Sequence, residues 1–223
     1  MRYTIAFDIY GTIINTSGVF ETLKTIVPYE TKLFMETWRN KQLEFSFRRA
    51  LMNCYVDFSV CTKEALDYAC LLLDVSLSSG EKEALMNSYK TLPVFEDVEP
   101  CLVDLRAQGH RIYAFSNGSE KAIVQLLKNA SIIEHFHGIV SVESQKTFKP
   151  NPKVYEYFNE ASQSLKSESW LISGNSFDVI GASSYGMNTA WVQRSAKAVF
   201  DPWEYKPTIT VKSLTNLPSE FTT

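Results

Sequence analysis

The 223-residue sequence predicts an α/β protein with a parallel sheet, helices on both faces of that sheet, and a long helical insertion after the first strand. Short apolar runs alternate with amphipathic helical patterns over most of the second half of the chain, as expected of successive βαβ units. Residues 14–94 lack this alternation and instead carry apolar residues at helical spacing. We therefore expect a core formed by residues 1–13 and 95–223 and a cap domain formed by residues 14–94.

The first predicted strand is the apolar run 3–7, which ends at Asp8. In the inserted segment, apolar side chains recur three and four positions apart with charged residues between them. We expect this set to be buried: Phe20, Leu23, Ile26, Val27, Leu33, Phe34, Trp38, Leu66, Ala69, Leu72 and Leu73.

The later elements follow in a regular order. Strands are predicted at 112–115, 138–142, 170–173 and 189–192. Helices are predicted at 102–107, at 119–129, from Pro152 onward, and in a segment that ends at Gly186. We expect the tail after Leu217 to be frayed.

Composition narrows the classes of function. A hydrophobic content of 45% supports a full core, and a net charge of −3 gives no reason to expect nucleic acid or an anionic membrane as a partner. The first apolar run is too short for a secretory signal or a membrane span, so we expect a soluble, cytoplasmic protein. The four cysteines form no C-x-x-C pair and only three histidines are present, so we expect buried thiols and no metal site.

The segment Asp8-Ile9-Tyr10-Gly11-Thr12 carries the strongest chemical signal. A carboxylate at the end of a parallel strand lies where α/β enzymes hold their reactive groups, although aspartate also serves in ordinary turns. An aspartate nucleophile that releases an alkoxide needs an acid nearby, and the phenol of Tyr10 is a poor acid near pH 7. Tyr10 therefore favours a leaving group that needs no proton, such as a halide.

Three further loops follow predicted strands. Ser116-Asn117-Gly118-Ser119 can direct backbone N–H groups at an anion, or can simply cap a helix. Lys149 lies between Phe148 and Pro150 and, taken alone, reads as a surface lysine. Residues 173–178 bring serine, asparagine and aspartate to a fourth strand end. Together the four loops offer a carboxylate, an anion-binding turn, a cation and a polar cluster.

This set and its order resemble the haloacid dehalogenase (HAD) superfamily, and more narrowly the L-2-haloacid dehalogenases, also called type II haloacid dehalogenases. The resemblance runs from about Tyr3 to Arg194 and includes the cap segment 38–45, Trp-Arg-Asn-Lys-Gln-Leu-Glu-Phe. It implies a HAD-like Rossmannoid parallel sheet core with an inserted helical cap. It also implies metal-independent hydrolysis of short-chain L-2-haloalkanoic acids to D-2-hydroxyalkanoic acids through an aspartyl ester, with no cofactor and with a homodimer as the assembly.

The same resemblance implies roles for particular side chains. Asp8 would attack the halogen-bearing carbon, and Lys149 would hold Asp8 ionised. Thr12, Ser173 and Asn175 would orient Asp8 and the hydrolytic water, while Asp178 would be either the base or the partner that fixes Lys149. Ser116 resembles the site of the substrate carboxylate, and Arg39 and Asn117 match positions that receive the halide.

The remaining residues implied to bind substrate surround the reacting group. Tyr10 lies beside the nucleophile, and Tyr155 matches a tyrosine near the lysine. Leu43, Phe58 and Phe177 match apolar positions around the alkyl group. Packing alone also accounts for Tyr155, Leu43 and Phe58.

Two other functions remain open from the residues. Phosphatases of the superfamily usually carry aspartate where Tyr10 and Asn175 stand, so the chain could be a Mg²⁺-dependent phosphatase without its general acid. It could also be a non-catalytic relative that binds a small carboxylate or a protein partner. Ile9 and Gly174 depart from the dehalogenase pattern, and we expect Ile9 to face the core and Gly174 to loosen its loop.

Overall fold

A six-stranded parallel sheet lies at the centre of the fold. The structure is a computed structural model that describes residues 2–221. Its strands are β1 (Thr4–Asp8), β2 (Arg111–Ser116), β3 (Gly138–Ser141), β4 (Ser169–Ser173), β5 (Asn188–Val192) and β6 (Ile209–Val211), in the order β3-β2-β1-β4-β5-β6. Because β1 pairs with both β2 and β4, the loops that follow these three strands meet at one edge of the sheet.

Eight α-helices accompany the sheet in the described part of the chain. Four of them follow β1 directly, namely α1 (Gly18–Ile26), α2 (Thr31–Leu51), α3 (Phe58–Leu72) and α4 (Ser79–Ser88). The others alternate with strands, namely α5 (Val98–Ala107), α6 (Glu120–Asn129), α7 (Pro152–Ser162) and α8 (Ser176–Tyr185). The α/β prediction with an inserted helical segment is confirmed, and we keep residues 14–94 as the proposed cap domain.

Helices α2 and α3 pack closely together and carry the cap side of the site. The indole of Trp38 is buried and donates from Nε1 to the carbonyl of Thr62 at 2.8 Å. Leu33 and Leu72, which we expected to be buried, are 50% and 57% exposed. They lie on the outer sides of their helices, because the helical pattern alone does not distinguish the edge of an apolar face from its centre.

Three further expectations need correction. The strand β6 was missed, since three residues are too few to show a strand pattern. The tail is not frayed as far as Phe221, because residues 218–221 form a 3₁₀ helix and the Phe221 ring packs against Trp170 at 4.9 Å between centroids. The last two residues of that tail lie outside the described residues. Of the four cysteines, Cys54 is exposed and the other three are buried, and all are free thiols.

Within residues 2–221, every helix is too short or too polar to cross a bilayer.

Candidate active site

The Asp8 carboxylate lies at the end of β1 and has two differently occupied oxygens. Its Oδ2 accepts hydrogen bonds from Thr12 Oγ1 at 2.6 Å, Asn175 Nδ2 at 2.7 Å and Ser173 Oγ at 3.2 Å. Its Oδ1 faces the ammonium of Lys149, with Nζ at 3.2 Å. The turn that returns Thr12 to the carboxylate passes through Gly11, whose φ of +79° suits glycine. One oxygen is therefore held by neutral donors and the other is left to a single cation.

Lys149 is a buried cation that joins two carboxylates. Its side chain is almost fully enclosed, with 1% of the residue exposed. Besides Asp8, its Nζ contacts Asp178 Oδ2 at 2.7 Å and the carbonyl of Phe115 at 2.9 Å. A buried ammonium needs such partners to offset its lost hydration. The simpler expectation of a surface lysine is therefore wrong.

Asp178 lies behind Lys149 and is fully buried. Burial raises the pKa of its carboxyl to about 6, although the ammonium of Lys149 opposes that rise. The phenol of Tyr155 donates to Asp178 Oδ1 at 2.8 Å, and burial holds the pKa of that phenol well above its ordinary value. Tyr155 is thus a permanent donor to Asp178, whose two oxygens are engaged by an ammonium and a phenol.

Arg39 brings a second cation to the site from α2. Its Nη2 lies 3.4 Å from Asn175 Oδ1, and its Nη1 donates to Gln42 Oε1 at 2.5 Å. Gln42 in turn donates to Thr62 Oγ1 at 2.6 Å, which links α2 to α3. Burial lowers the pKa of Arg39, but a guanidinium remains charged at any ordinary pH. The guanidinium is therefore held in place from both the cap and the core.

The end of β2 contributes Ser116, and the loop after it contributes Asn117. The backbone N–H of Lys149 donates to Asn117 Oδ1 at 2.9 Å. The side-chain nitrogen of Asn117 takes no part in this bond. The Ser116 hydroxyl accepts from the backbone N–H of Gly118 at 3.2 Å and keeps its own proton for donation. Both residues are buried, and both can donate to an anion.

These groups surround a small cavity of about 20 Å³. It is lined by Asp8, Tyr10, Arg39, Leu43, Phe58, Ser116, Asn117, Lys149, Asn175 and Phe177, all of which were predicted from the sequence. The other four predicted residues lie outside this lining, namely Thr12, Ser173, Asp178 and Tyr155. Thr12 and Ser173 contact Asp8, Asp178 contacts Lys149, and Tyr155 contacts Asp178. Tyr155, expected among the substrate-binding residues, thus lies behind Asp178.

Apart from its charged residues, the cavity is lined mostly by apolar surface. Phe177 packs edge-on against Phe47 at 5.1 Å between ring centroids, and Phe58 packs against Phe148 at 5.8 Å. Burial keeps the pKa of Tyr10 far above neutrality, so its phenol is a poor acid. Such surroundings suit an uncharged carbon chain beside the Asp8 carboxylate, because a carboxylate is a stronger nucleophile where water is excluded.

Comparison with known proteins identifies the family. The sequence model of the haloacid dehalogenase-like hydrolases matches residues 5–192. The chain belongs to this family.

Individual haloacid dehalogenases resemble the chain along nearly its whole length. An (S)-2-haloacid dehalogenase of Pseudomonas putida is 32% identical over 96% of this chain and 93% of its own. Haloacetate dehalogenase H-2 of Moraxella sp. (strain B) is 33% identical over 93% of this chain and 92% of its own. The L-2-haloacid dehalogenase of Xanthobacter autotrophicus, solved with chloropropionic acid covalently bound, has a TM-score of 0.89 at 28% identity and covers 98% of each chain. The predicted membership of the L-2-haloacid dehalogenase group is confirmed.

Two positions depart from the haloacid dehalogenase pattern, and the structure explains one of them differently from our expectation. Ile9 is fully buried in the core, as predicted. Gly174 does not loosen its loop: a Cβ there would lie 2.5 Å from the carbonyl oxygen of Gly11, and its N–H donates to Thr12 Oγ1 at 2.8 Å. A larger residue at position 174 would therefore require the two loops to move apart.

Sequence reasoning missed two residues that support the site of this haloacid dehalogenase-like hydrolase. Gln42 lies three positions after Arg39 on α2, a spacing that places the two side chains on one helix face and could have revealed the pair. Arg194 donates to the carbonyl of Thr12 from Nη2 at 2.6 Å and pairs with Asp97 at 2.6 Å. Only the fold joins these residues, which are far apart in the chain.

Proposed function

We propose that this enzyme hydrolyses the carbon–halogen bond of short-chain L-2-haloalkanoic acids, without a metal, and releases D-2-hydroxyalkanoic acids through an ester on Asp8. The observation that carries the proposal is the unequal occupation of the Asp8 oxygens inside a largely apolar cavity. Oδ1 is free of neutral donors and can attack, while Oδ2 is held by three of them. The covalently bound chloropropionic acid of the Xanthobacter relative supports the same route.

In the first step, Asp8 Oδ1 forms a bond to carbon 2 from the side opposite the halogen. The carbon–halogen bond breaks, and its electron pair leaves with the halide, which accounts for inversion at that carbon. Ser116 and neighbouring backbone amides bind the substrate carboxylate. Arg39 and Asn117 donate to the departing halide and stabilise its developing charge.

In the second step, water attacks the carbonyl carbon of the ester. The electron pair of the carbonyl moves to Oδ2, where Thr12, Ser173 and Asn175 already donate, so these three residues form an oxyanion hole. The bond from the carbonyl carbon to Oδ1 then breaks, and Oδ1 leaves as the product hydroxyl with a proton that originated in the water. Asp8 regains its carboxylate with the oxygen of the water, and the second proton of the water passes to solvent.

We infer that Asp178 acts mainly by holding Lys149 beside Asp8. Both Asp178 oxygens are already engaged, and the side chain is fully buried. A carboxylate whose pKa is about 6 can also accept a proton near neutrality, so Asp178 serves as the base if a water reaches it in the ester state. The two roles differ in the step that fails when the carboxylate is removed.

A single turnover in H₂¹⁸O tests the proposed route. With purified enzyme in excess over L-2-chloropropionate and with EDTA present, we expect chloride release and D-lactate that contains no ¹⁸O. The enzyme should gain one ¹⁸O, which peptide mass spectrometry should place on Asp8. The D enantiomer is the matched control and should release no chloride. Product that carries ¹⁸O in its hydroxyl would exclude the ester, and activity lost with EDTA would exclude the metal-free route.

The phosphatase alternative gains no support from the site. Its leaving alkoxide would need a proton, and the raised pKa of Tyr10 makes that phenol a weaker acid still. Within residues 2–221, no three His, Cys, Asp or Glu side chains are grouped as a metal-ligand set.

We also propose a homodimer and a cytoplasmic location. Leu51 and Met52 at the end of α2, together with Leu71 and Leu72 on α3, are large apolar side chains that a second copy could cover. The free thiols of all four cysteines are compatible with a reducing compartment.

A further inference from the structure

A second, larger cavity adjoins the catalytic one. It measures about 320 Å³, a volume typical of small-molecule sites. Two of its lining residues, Tyr10 and Phe58, also line the catalytic cavity. The rings of Tyr10 and Phe58 therefore form a wall that the two cavities share.

The inner surface of the larger cavity suits an apolar group. Met86, Tyr89, Tyr10 and Phe58 provide apolar surface from both the cap and the core. The aromatic part is rigidly supported, since Tyr89 packs against Tyr10 at 6.2 Å and against Trp38 at 5.4 Å between ring centroids. Nothing in this part of the wall calls for a charged ligand.

Several polar groups of this cavity are already partnered. The amide of Gln42 lies between Arg39 and Thr62, and the Thr62 hydroxyl donates to the carbonyl of Phe58 at 3.0 Å. On α4 and just after it, Lys90 is exposed and pairs with Asn87 at 2.6 Å. A ligand in this cavity gains by burying apolar surface and would gain little from polar atoms.

The size of the catalytic cavity makes the connection chemically relevant. At about 20 Å³ it is far smaller than the neighbouring cavity, which leaves little room for a carbon chain beyond the reacting centre. The substituent on carbon 2 of a longer acid must therefore extend out of this space, and the larger cavity lies on the other side of Tyr10 and Phe58, which line both.

We propose that the larger cavity binds the alkyl chain of 2-haloalkanoic acids longer than propionate, so that the enzyme favours chains of about four to eight carbons. This inference rests on the proposed dehalogenation at Asp8 and adds the substrate class. Each methylene buried there should raise kcat/KM about three- to fourfold until the cavity is filled.

The test measures halide release in EDTA from L-2-chloropropionate, L-2-chlorobutyrate, L-2-chlorohexanoate and L-2-chlorooctanoate. Wild-type enzyme is compared with Ala122→Leu, which narrows the larger cavity from α6. Ala122 lines only that cavity and is exposed, so the change should not disturb folding. Ala161→Leu is the matched control, because Ala161 is exposed on α7 and lines neither cavity. Met86→Phe narrows the same space from α4 and provides a second variant.

We expect kcat/KM for chlorohexanoate to exceed that for chloropropionate at least tenfold in the wild type and in Ala161→Leu. That ratio should fall at least fivefold in Ala122→Leu and in Met86→Phe. If chloropropionate is hydrolysed but longer acids are not favoured, or if the ratio is unchanged in both narrowed variants, the chain-length inference is wrong while the dehalogenation stands. If no acid in the series releases halide, the proposed function itself is wrong.

Discussion

At the scale of single residues, charges and hydrogen bonds indicate the role of each side chain in the site. The sequence predicted Asp8, Lys149 and Asp178 as a group, because each follows or lies near a predicted strand end. It left the role of Asp178 open, since that role depends on which atoms its oxygens meet. The structure shows that they meet Lys149 and Tyr155. Gln42 could have been predicted as a partner of Arg39 from helical spacing, whereas its bond to Thr62 depends on how two helices pack.

The raised pKa of Asp178 predicts the pH dependence of the reaction. The carboxyl is protonated below about pH 6 and ionised above it, so kcat/KM should rise through about pH 6 and level off at higher pH. Asp178→Asn should remove that inflection and lower kcat by about 10²-fold or more. Asp67→Asn, on the surface of α3, is the matched control and should keep the wild-type profile.

The same variant separates the two roles of Asp178. If the carboxylate is the base, the asparagine enzyme should accumulate the Asp8 ester, visible as added mass on the intact protein. If it only holds Lys149, the ester should form slowly and never accumulate. An unchanged pH profile in the variant would show that another group titrates near pH 6.

At the scale of elements, the contact between the loops after β1 and β4 could not be predicted from the sequence. The sequence predicted both strands and the polar residues that follow them, because apolar runs and turn residues are local signals. The close approach of Gly174 to Gly11 is a contact between distant segments, and no local pattern reports it. β6 was missed for a related reason, since it is a strand mainly by virtue of pairing with β5.

Replacing Gly174 by alanine should destabilise the enzyme. The new Cβ would meet backbone rather than a flexible side chain, so the two loops must separate, at a cost of about 1 to 3 kcal/mol in the free energy of unfolding. Gly80→Ala is the matched control, because the space around Gly80 in α4 is open and alanine favours helix there by up to about 1 kcal/mol. Urea denaturation followed by circular dichroism measures both changes. Equal stability of the Gly174 variant and wild type would show that the loops relax freely.

At the scale of the whole molecule, one ionic cluster joins distant parts of the chain. Asp97, which lies just before α5, accepts from Arg194, from the Ser213 hydroxyl at 2.7 Å and from the backbone N–H of Leu214 at 2.8 Å. Burial alone would raise the pKa of Asp97, but these hydrogen bonds outweigh it and lower the pKa. Through Arg194 the cluster reaches the carbonyl of Thr12 and hence the loop that follows Asp8. Sequence patterns could predict the α/β architecture but not this connection.

Breaking the cluster should cost more than breaking a surface ion pair. Asp97→Ala leaves a mostly buried guanidinium without its carboxylate, and we expect a loss of roughly 2 to 3 kcal/mol in the free energy of unfolding, somewhat below the value for a fully buried pair. Asp67→Ala, which breaks the more exposed pair with Lys82, should cost less than about 1 kcal/mol. Urea denaturation at pH 7 measures the free energy of unfolding of both variants. Similar losses for the two would show that the Asp97 cluster contributes no more than a surface ion pair.

The three donors to Asp8 Oδ2 have a consequence for how enzymes of this design diversify. Thr12, Ser173 and Asn175 all lie outside the inserted segment, whereas Arg39, Leu43 and Phe58 lie within it. The proposed ester hydrolysis thus depends on the two segments that flank the insertion, whereas the proposed contacts with the leaving group and the alkyl chain depend largely on the insertion. Evolution can vary the insertion to accept new halides or new side chains while the hydrolytic half-reaction is inherited unchanged.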